Sequence, residues 1–304
     1  PQIGQSIYDP AVGSCGFLIE AYNHIRYTDV QNNKQRDLST DQLKFLNEDT
    51  FFGNEKTPLS YVMGVMNMIL HGIESPNISK SNTLTKNIRG LEEKDRFDCI
   101  LANPPFGGKE KEQIQSNFPI KSNATELLFL QHMMNHLKQG GRCGVVIPEG
   151  VLFQTNNAFA SVKKELLEKF NIHTILSLPS GVFLPYSAVK TNVVFFDRAG
   201  STSDIYYYEV NPSYKLTKNK PINNEHFAEF LDSWETRKIT DNSWIVNIND
   251  IKDFDISAKN PKKNDAIEHK SPIELVENIK LNNAEINDLM DEIETILIGK
   301  DINE

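Results

Sequence analysis

The 304-residue sequence predicts an α/β fold around a mostly parallel sheet that ends in an antiparallel hairpin. Short apolar runs typical of buried strands alternate with amphipathic helical patterns, as expected for strands joined by crossover helices. The strand runs at 173–178 and 191–196 are separated by a loop alone, which allows an antiparallel pair but no helical crossover. We therefore predict a sheet domain over 1–211, an irregular extension packed on it over 212–270, and a helix over 271–304.

The remaining elements follow in chain order from the same patterns. We predict a strand at 6–8, a helix ending near 25, a polar surface insertion at 28–48, a strand at 50–53, a helix at 58–71, a polar connection around 82–84, a strand at 97–102, a loop at 107–123, a helix at 124–138, a strand at 143–148, a helix at 159–170 and an edge strand at 205–210. The helix at 124–138 is expected to stop at Gly140-Gly141.

Composition excludes several classes of protein. Apolar residues make up 39% of the chain and charged residues 24%, which is ordinary for a globular protein. The three cysteines form no C-x-x-C pair, which suggests a reducing cytosol, and no apolar run approaches the roughly 20 residues of a membrane span. The seven histidines show no metal-like spacing. We accordingly predict a cytoplasmic protein without a metal site and without membrane contact.

The net charge of −9 is concentrated at the end of the chain. Residues 271–304 hold nine acidic and two basic side chains, which gives −7, so the first 270 residues contribute only −2. The first 270 residues are therefore nearly neutral, whereas a protein that binds DNA by itself usually carries an excess of basic residues. If the substrate is nucleic acid, another component is expected to supply many of the contacts that hold it.

A glycine-containing loop follows the first predicted strand and reads Asp9-Pro10-Ala11-Val12-Gly13-Ser14-Cys15-Gly16-Phe17-Leu18. Its glycines let a ligand approach the backbone, and the following helix offers free N–H groups. An ordinary strand–helix turn has the same pattern, so both interpretations stay open. Glu55 ends the second strand, where nucleotide-like cofactors have their ribose hydroxyls bound, although a solvated glutamate is equally compatible. Cys15 is interpreted as a small packing residue, because no base lies beside it in the sequence.

The segment Asn103-Pro104-Pro105-Phe106 follows the predicted strand at 97–102. Its two prolines fix the backbone into a stiff corner at the carboxyl end of a strand, where open α/β sheets bind ligands. The Asn103 side-chain oxygen and the Pro104 carbonyl can each accept an N–H from a planar amine such as adenine N6, while Phe106 stacks on the base. Two such acceptors would draw the nitrogen toward tetrahedral geometry and free its lone pair for attack. The alternative is a plain Pro-Pro turn.

The end of the chain carries a heptad pattern. Apolar side chains recur every seven residues or three further on, at Ile279, Ile286, Leu289, Ile293 and Ile296. Asn282 lies at one core position, which in coiled coils fixes register with a defined partner. We predict a helix that binds a partner subunit, and the alternative is an amphipathic helix packed on its own domain.

With these motifs in order, the chain resembles the modification (methyltransferase) subunit of type I restriction–modification systems, and more broadly the γ-class adenine-N6 DNA methyltransferases. The resemblance runs from about residue 5 to 210. The segments that carry it are Asp9-Pro10-Ala11-x-Gly13-x-x-Gly16-Phe17-Leu18, Gly53-x-Glu55, Asn67-Met68-x-Leu70-His71-Gly72-Ile73, Asn82-Thr83-Leu84, Asn103-Pro104-Pro105-Phe106-Gly107, Lys121-Ser122-Asn123, Phe129-Leu130-Gln131-His132, Gly140-Gly141-Arg142, Pro148-x-Gly150-Val151-Leu152-Phe153, Leu178-Pro179-x-Gly181-x-Phe183 and Lys190-Thr191-Asn192-Val193.

The resemblance implies a Rossmann-like, S-adenosylmethionine-dependent methyltransferase sheet and an adenine-specific, site-specific DNA methyltransferase. The implied cofactor residues are Asp9, Ala11, Gly13, Ser14, Gly16, Phe17 and Leu18 in the glycine loop, Glu55 at the ribose, and Asn82 with Thr83 at the adenine ring. The implied catalytic residues, which hold the target base, are Asn103, Pro104, Pro105 and Phe106. The methyl group would pass directly from a sulfonium to N6 of an adenine flipped out of the duplex.

The resemblance also implies partners, and the sequence differs from the family pattern at two places. The implied partners are double-stranded DNA, a specificity subunit, a restriction subunit and a second copy of the modification subunit, with the recognition sequence left to the specificity subunit. The family usually has Cys-Gly-Thr-Gly-Gly where this chain has Val12-Gly13-Ser14-Cys15-Gly16, so the Cys15 side chain is expected to narrow the methionine pocket. The family's helical region before the first strand is not contained in the sequence, which is therefore expected to be a fragment that binds the cofactor weakly.

Two other functions remain open at this point. Methyltransferases acting on RNA guanine N2 or on protein glutamine share Asn-Pro-Pro-aromatic, but they usually have tyrosine at the fourth position and lack the Lys-Ser-Asn and Leu-Pro-x-Gly-x-Phe segments. A cofactor-binding scaffold without activity, which holds a specificity subunit through the heptad helix, is the non-enzymatic alternative.

Overall fold

The computed structural model describes residues 1–262 together with Lys280, Asn282, Asn283, Ile286, Asn287, Leu289, Met290 and Ile293. The chain divides into two compact units, Pro1–Asn260 and Pro261–Glu304. In the second unit, Ile286, Leu289 and Ile293 are helical and 55%, 53% and 50% exposed. The other two apolar heptad positions, Ile279 and Ile296, lie outside the described residues.

The first unit contains eleven strands and eight α-helices. The strands are β1 (Ile7–Asp9), β2 (Tyr27–Asp29), β3 (Lys34–Gln35), β4 (Phe51–Glu55), β5 (Asn77–Lys80), β6 (Phe97–Ala102), β7 (Leu137–Pro148), β8 (Asn171–Ser177), β9 (Thr191–Asp197), β10 (Asp204–Glu209) and β11 (Ser243–Asn247). The helices are α1 (Gly16–Arg26), α2 (Thr40–Glu48), α3 (Pro58–Leu70), α4 (Glu112–Gln115), α5 (Thr125–His136), α6 (Glu149–Phe153), α7 (Asn157–Lys169) and α8 (Ala228–Trp234). Among the described residues, no helix combines the length and the apolar character that crossing a bilayer requires.

Nine of these strands form one sheet in the order β11-β10-β8-β9-β7-β6-β1-β4-β5. Strand β9 runs antiparallel to both of its neighbours, and β11 runs antiparallel to β10, while every other pair in the sheet is parallel. The predicted mixed sheet, including the antiparallel pairing of β8 with β9, is therefore confirmed.

The far edge of the sheet differs from the prediction. Strand β10 was expected at an edge, but it pairs with β8 on one side and β11 on the other. Its consecutive tyrosines Tyr206, Tyr207 and Tyr208 are all buried, which means that both faces of the strand are covered. The edge strand β11 comes from the segment predicted to be irregular, which also contains α8. The Trp244 ring of β11 stacks on Tyr207 at 5.4 Å.

Three further regions of the chain differ from the prediction. Strand β5 was missed because it is polar on its surface-facing positions. The predicted surface insertion at 28–48 contains the β2–β3 pair and α2, whose start is capped by Ser39 and Gln42 in a reciprocal capping box. The pair Gly140-Gly141 lies inside the long strand β7 and not at a helix end; Gly140 has a φ of +74° there.

The strand order places three carboxyl ends side by side. Strand β1 pairs with β6 on one side and with β4 on the other, all in parallel. Chain order reverses at this point of the sheet, so the loops after β1 and β6 leave toward opposite faces and open a crevice between them. Ligands of open α/β sheets bind in such crevices. The candidate residues follow these three strands, except Asn82 and Thr83, which follow β5.

Candidate active site

The glycine loop and the end of β4 are joined by one carboxylate. The backbone N–H of Gly13, which has a φ of +51°, donates to Glu55 Oε2 at 3.0 Å. The N–H of Thr57 donates to the other oxygen, Glu55 Oε1, at 2.7 Å. Because a carboxylate accepts about four hydrogen bonds, Glu55 keeps acceptor capacity for a ligand while it holds the loop in place.

Asp9 ends β1 and is buried at the base of the loop. Its Oδ1 accepts a hydrogen bond from the N–H of Ala11 at 2.9 Å. Burial raises the pKa of the Asp9 carboxyl to about 7, against the hydrogen bond from Ala11, and the nearby Glu55 charge raises it further. Near neutral pH this carboxyl is poised between its two protonation states, and a positive charge placed beside it would favour the ionised form.

A cavity of about 690 Å³ lies at the carboxyl ends of β1, β4 and β6. This volume is typical of sites for small ligands and cofactors. Six of the predicted site residues line it, namely Ala11, Glu55, Asn82, Thr83, Asn103 and Pro105. Phe129 of α5 also lines it, and the Thr83 hydroxyl donates to the Pro10 carbonyl at 2.5 Å. The structure thus brings residues from five segments of the resemblance to the wall of one cavity.

The corner after β6 is held against the start of α5. The N–H of Gly107 donates to the Glu126 carboxylate, and the N–H of Thr125 donates to the Gly108 carbonyl at 3.1 Å. Pro104 is buried, whereas Asn103 is exposed and its side chain bonds to no other described residue. The backbone of the corner is therefore fixed, and the donor and acceptor atoms of the Asn103 amide make no hydrogen bond to the described residues.

A second cavity, of about 860 Å³, adjoins the same corner. Its lining includes Phe106, Gly107, Lys109, Gln154 and Tyr186. Since Asn103 and Pro105 line the first cavity and Phe106 the second, the corner stands between the two.

Phe183 lies beside the corner, although it was not among the predicted site residues. Its ring lies edge-on to Phe106, with centroids 6.1 Å apart and planes at 67°. The signal was present, because Phe183 belongs to the Leu178-Pro179-x-Gly181-x-Phe183 segment. The loop between β8 and β9 thus supplies a second aromatic ring at the corner.

Gln131 was also missed, and it holds the loop at 107–123. Its amide donates to the Ile120 carbonyl at 2.9 Å, and the Ile120 N–H donates back to its Oε1 at 3.0 Å. The side chain is only 1% exposed. A polar amide on the buried face of α5 was the available signal, because a buried amide needs such partners.

A buried polar chain links α5 to the end of β4. The Tyr8 hydroxyl donates to Asn54 Oδ1 at 3.0 Å and lies 3.0 Å from His132 Nε2. Burial lowers the pKa of His132 well below its usual value, so the ring is neutral. Asn54 directly precedes Glu55, so these hydrogen bonds help to fix the position of the Glu55 carboxylate. In the described part of the chain, no cluster of histidine, cysteine and acidic side chains could hold a metal ion.

Several predicted cofactor residues do not line either cavity. Leu18 is fully buried in the apolar core, so the structure gives its side chain a packing role. Ser14 is exposed on the loop, and Gly16 and Phe17 are exposed in the first turn of α1. The Ser14 carbonyl accepts a hydrogen bond from Asn67 Nδ2 of α3 at 2.9 Å.

Cys15 lines neither cavity, and its side chain lies in the apolar core, so the structure gives no support to a ligand pocket narrowed by this residue. Its backbone has a left-handed φ of 63°, and its side chain is fully buried against α3. A Cβ atom on Gly64 of α3 would lie 2.8 Å from Cys15 Sγ. Burial raises the pKa of the Cys15 thiol to about 12. Cys15 is a packing residue, as its sequence context indicated.

The N-6 DNA Methylase family matches residues 1–271. The methylase subunit of the type I restriction enzyme EcoEI from Escherichia coli is 36% identical over 312 residues, which cover 98% of this chain and 61% of that subunit. The EcoKI methylase subunit from Escherichia coli strain K12 is 33% identical over 245 residues, or 76% of this chain and 45% of that subunit. The chain thus spans about three-fifths, or less, of the curated relatives that it matches.

Solved structures show the same similarity. A structure of a type I R-M system is 44% identical, with a TM-score of 0.80 over 98% of this chain and 63% of that chain. The crystal structure of the EcoKI M protein is 28% identical, with a TM-score of 0.72 over 85% of this chain and 62% of that chain.

Proposed function

The chain belongs to the N-6 DNA methylase family, and on that premise we propose that it transfers a methyl group from S-adenosylmethionine to adenine N6 of DNA within a type I restriction–modification complex. One observation carries the proposal. The Asn103-Pro104-Pro105-Phe106 corner lies between a cavity lined by four of the predicted cofactor residues (Ala11, Glu55, Asn82 and Thr83) and a second cavity lined by Phe106.

The first cavity fits S-adenosylmethionine by size and by donor chemistry. Glu55 retains free lone pairs for the ribose hydroxyls, Asn82 and Thr83 would lie by the adenine ring, and the backbone of Ala11 and Gly13 would face the methionine part. The buried Asp9 carboxyl supports this assignment, because it would favour a positively charged ligand. When bound, the cofactor supplies a methyl group activated by its positively charged sulfur.

The second cavity suits the target base. The Asn103 oxygen and the Pro104 carbonyl would accept the two N6 hydrogens, and Phe106 would stack on the ring with Phe183 beside it. Asn103 and Pro104 would hold N6 in line with the methyl group that the cofactor supplies. Direct transfer of that methyl group would leave the cofactor as a neutral thioether, and the extra proton on N6 would pass to water. Positioning supplies the catalysis, so that no side chain needs to form a covalent bond. The base must leave the duplex, at a cost of a few kcal/mol.

The remaining components of the complex would supply DNA recognition. The net charge of −9 disfavours binding to DNA by this chain alone. We infer that a specificity subunit, a restriction subunit and a second modification subunit assemble with it in the cytoplasm. The half-exposed Ile286, Leu289 and Ile293 would form the surface for the specificity subunit. The relatives give no support to activity on RNA guanine or protein glutamine.

Methylation of genomic DNA by the full-length protein reconstituted with its specificity subunit tests the proposal. We expect N6-methyladenine at one sequence motif. Asn103→Ala should abolish methylation and leave the Kd for S-adenosylmethionine nearly unchanged, since Asn103 would contact the target amine. Asn249→Ala, which changes an exposed asparagine that lines neither cavity, is the matched control.

Two results would count against the proposal. Absence of methyladenine with the wild-type complex would favour the scaffold alternative. If Asn103→Ala loses cofactor affinity and methylation to the same extent, Asn103 does not act on the target base as proposed.

A further inference from the structure

Tyr186 is 93% exposed, the highest value among the large apolar and aromatic side chains of residues 1–262. Tyrosine rings contribute large contact areas to interfaces, and an exposed ring is available for such a contact. Tyr186 lies in the loop at 178–190, between β8 and β9.

The exposed ring is carried by a hydrogen-bonded turn. The N–H groups of Tyr186 and Ser187 both donate to the Phe183 carbonyl, at 2.8 and 3.0 Å, and the N–H of Leu184 donates to Gly181 at 3.1 Å. At the end of the loop, Lys190 pairs with Glu149 at 2.9 Å. The turn therefore presents the ring to solvent from a defined backbone.

The position of the ring relates it to the target base. Tyr186 lines the same 860 Å³ cavity as Phe106, and Lys109 lines it as well. Phe183, three residues earlier in the same turn, contacts the Phe106 ring. One turn thus places one ring at the base-holding corner and another at the exposed rim of its cavity.

We propose that Tyr186 stacks on the DNA duplex at the position that the target adenine leaves when it flips out. The inference rests on the proposed function. Flipping breaks the stacking of the target with its neighbours, and an aromatic ring can replace that stacking without reading sequence, because every base has a π-face. A ring of this kind suits a subunit that leaves sequence recognition to another chain. DNA is favoured over a protein as the contact, since the ring shares its cavity with Phe106.

The experiment uses the full-length protein in complex with its specificity subunit and a duplex that contains the motif methylated by the wild-type complex. Base flipping is followed by the fluorescence of 2-aminopurine in place of the target adenine. Methyl transfer is measured as kcat/KM on the duplex that keeps the target adenine. Tyr186→Ala should lower both by about tenfold to one hundredfold, and Tyr186→Phe should retain them. Leu231→Ala on α8, 61% exposed and lining neither cavity, should change neither.

A mismatch opposite the target adenine separates stacking from other roles. Because the mismatch lowers the cost of flipping, the defect of Tyr186→Ala should shrink several-fold on the mismatched duplex, whereas that of Asn103→Ala should persist. An equal defect on both duplexes, or no defect, would overturn the role of Tyr186 while wild-type methylation upholds the proposed function. Loss of the specificity subunit on purification of Tyr186→Ala would show that the ring contacts protein instead. A wild-type complex that methylates no adenine would overturn the proposed function and this inference with it.

Discussion

Replacing Asp9 by asparagine should make the protein more stable at neutral and alkaline pH than the wild type. The carboxyl is 2% exposed, and burial raises its pKa from 3.8 to about 7. Folding therefore requires either a proton on Asp9 or a buried charge. Asparagine has nearly the same shape, can still accept the hydrogen bond from Ala11, and never ionises.

The size of the effect follows from the shift in pKa. A folded pKa above the unfolded value means that the protonated group stabilises the folded state fully below about pH 3.8, and that this contribution is lost as the pH rises through about 7. At about 1.4 kcal/mol per unit, the free energy of unfolding of the wild type should fall by about 4 kcal/mol relative to Asp9→Asn between those values.

Urea unfolding of both proteins at several pH values measures the difference directly. Taking the difference cancels the other titrating groups, among them His132 and His136, whose pKa values burial lowers. Asp232→Asn, which makes the same carboxyl-to-amide change at an exposed aspartate of α8, is the control. If the difference in the free energy of unfolding between the wild type and Asp9→Asn does not change with pH, the burial argument is refuted.

S-adenosylmethionine should also bind the wild type more tightly as the pH rises through about 7, because its positive charge favours ionised Asp9.

Three further predictions test the support of the site, its stacking surface and its assembly. Gly64→Ala should lower the free energy of unfolding by about 1–2 kcal/mol and weaken cofactor binding, because the added Cβ would lie 2.7 Å from the Gly13 carbonyl oxygen. Gly90→Ala, whose Cβ meets nothing within 4 Å, is the control, and equal stability of the two variants would contradict the packing argument. Phe106→Ala should cost about 1–3 kcal/mol in target stacking, measured by 2-aminopurine fluorescence, whereas Phe106→Tyr should be mild. Ile286→Asp with Ile293→Asp should leave the sheet domain folded and abolish co-purification with the specificity subunit; retained co-purification together with a lower Tm would instead favour packing on the chain's own domain.

The sequence by itself determined the parts of the site that depend on local chemistry. The strand before the corner was predicted at 97–102 and is observed as Phe97–Ala102. Two consecutive prolines restrict the backbone wherever they occur, so the corner after that strand follows from its own residues. The parallel sheet and the antiparallel β8–β9 pair were likewise predictable, because connection length alone limits how consecutive strands can pair.

Tertiary structure decided which residues share a space and where side chains point. The direction of Cys15 depends on a left-handed backbone and on Gly64, which lies 49 positions away and leaves room for the sulfur. The inner position of β10 depends on β11, whose residues come after a long polar segment with no strand signal of its own. Phe183 meets Phe106, and Tyr186 reaches the same cavity, only because the sheet order brings the loop between β8 and β9 to the end of β6. Such contacts join residues far apart in the chain, and a sequence pattern records the preference of each segment without recording its neighbours in space.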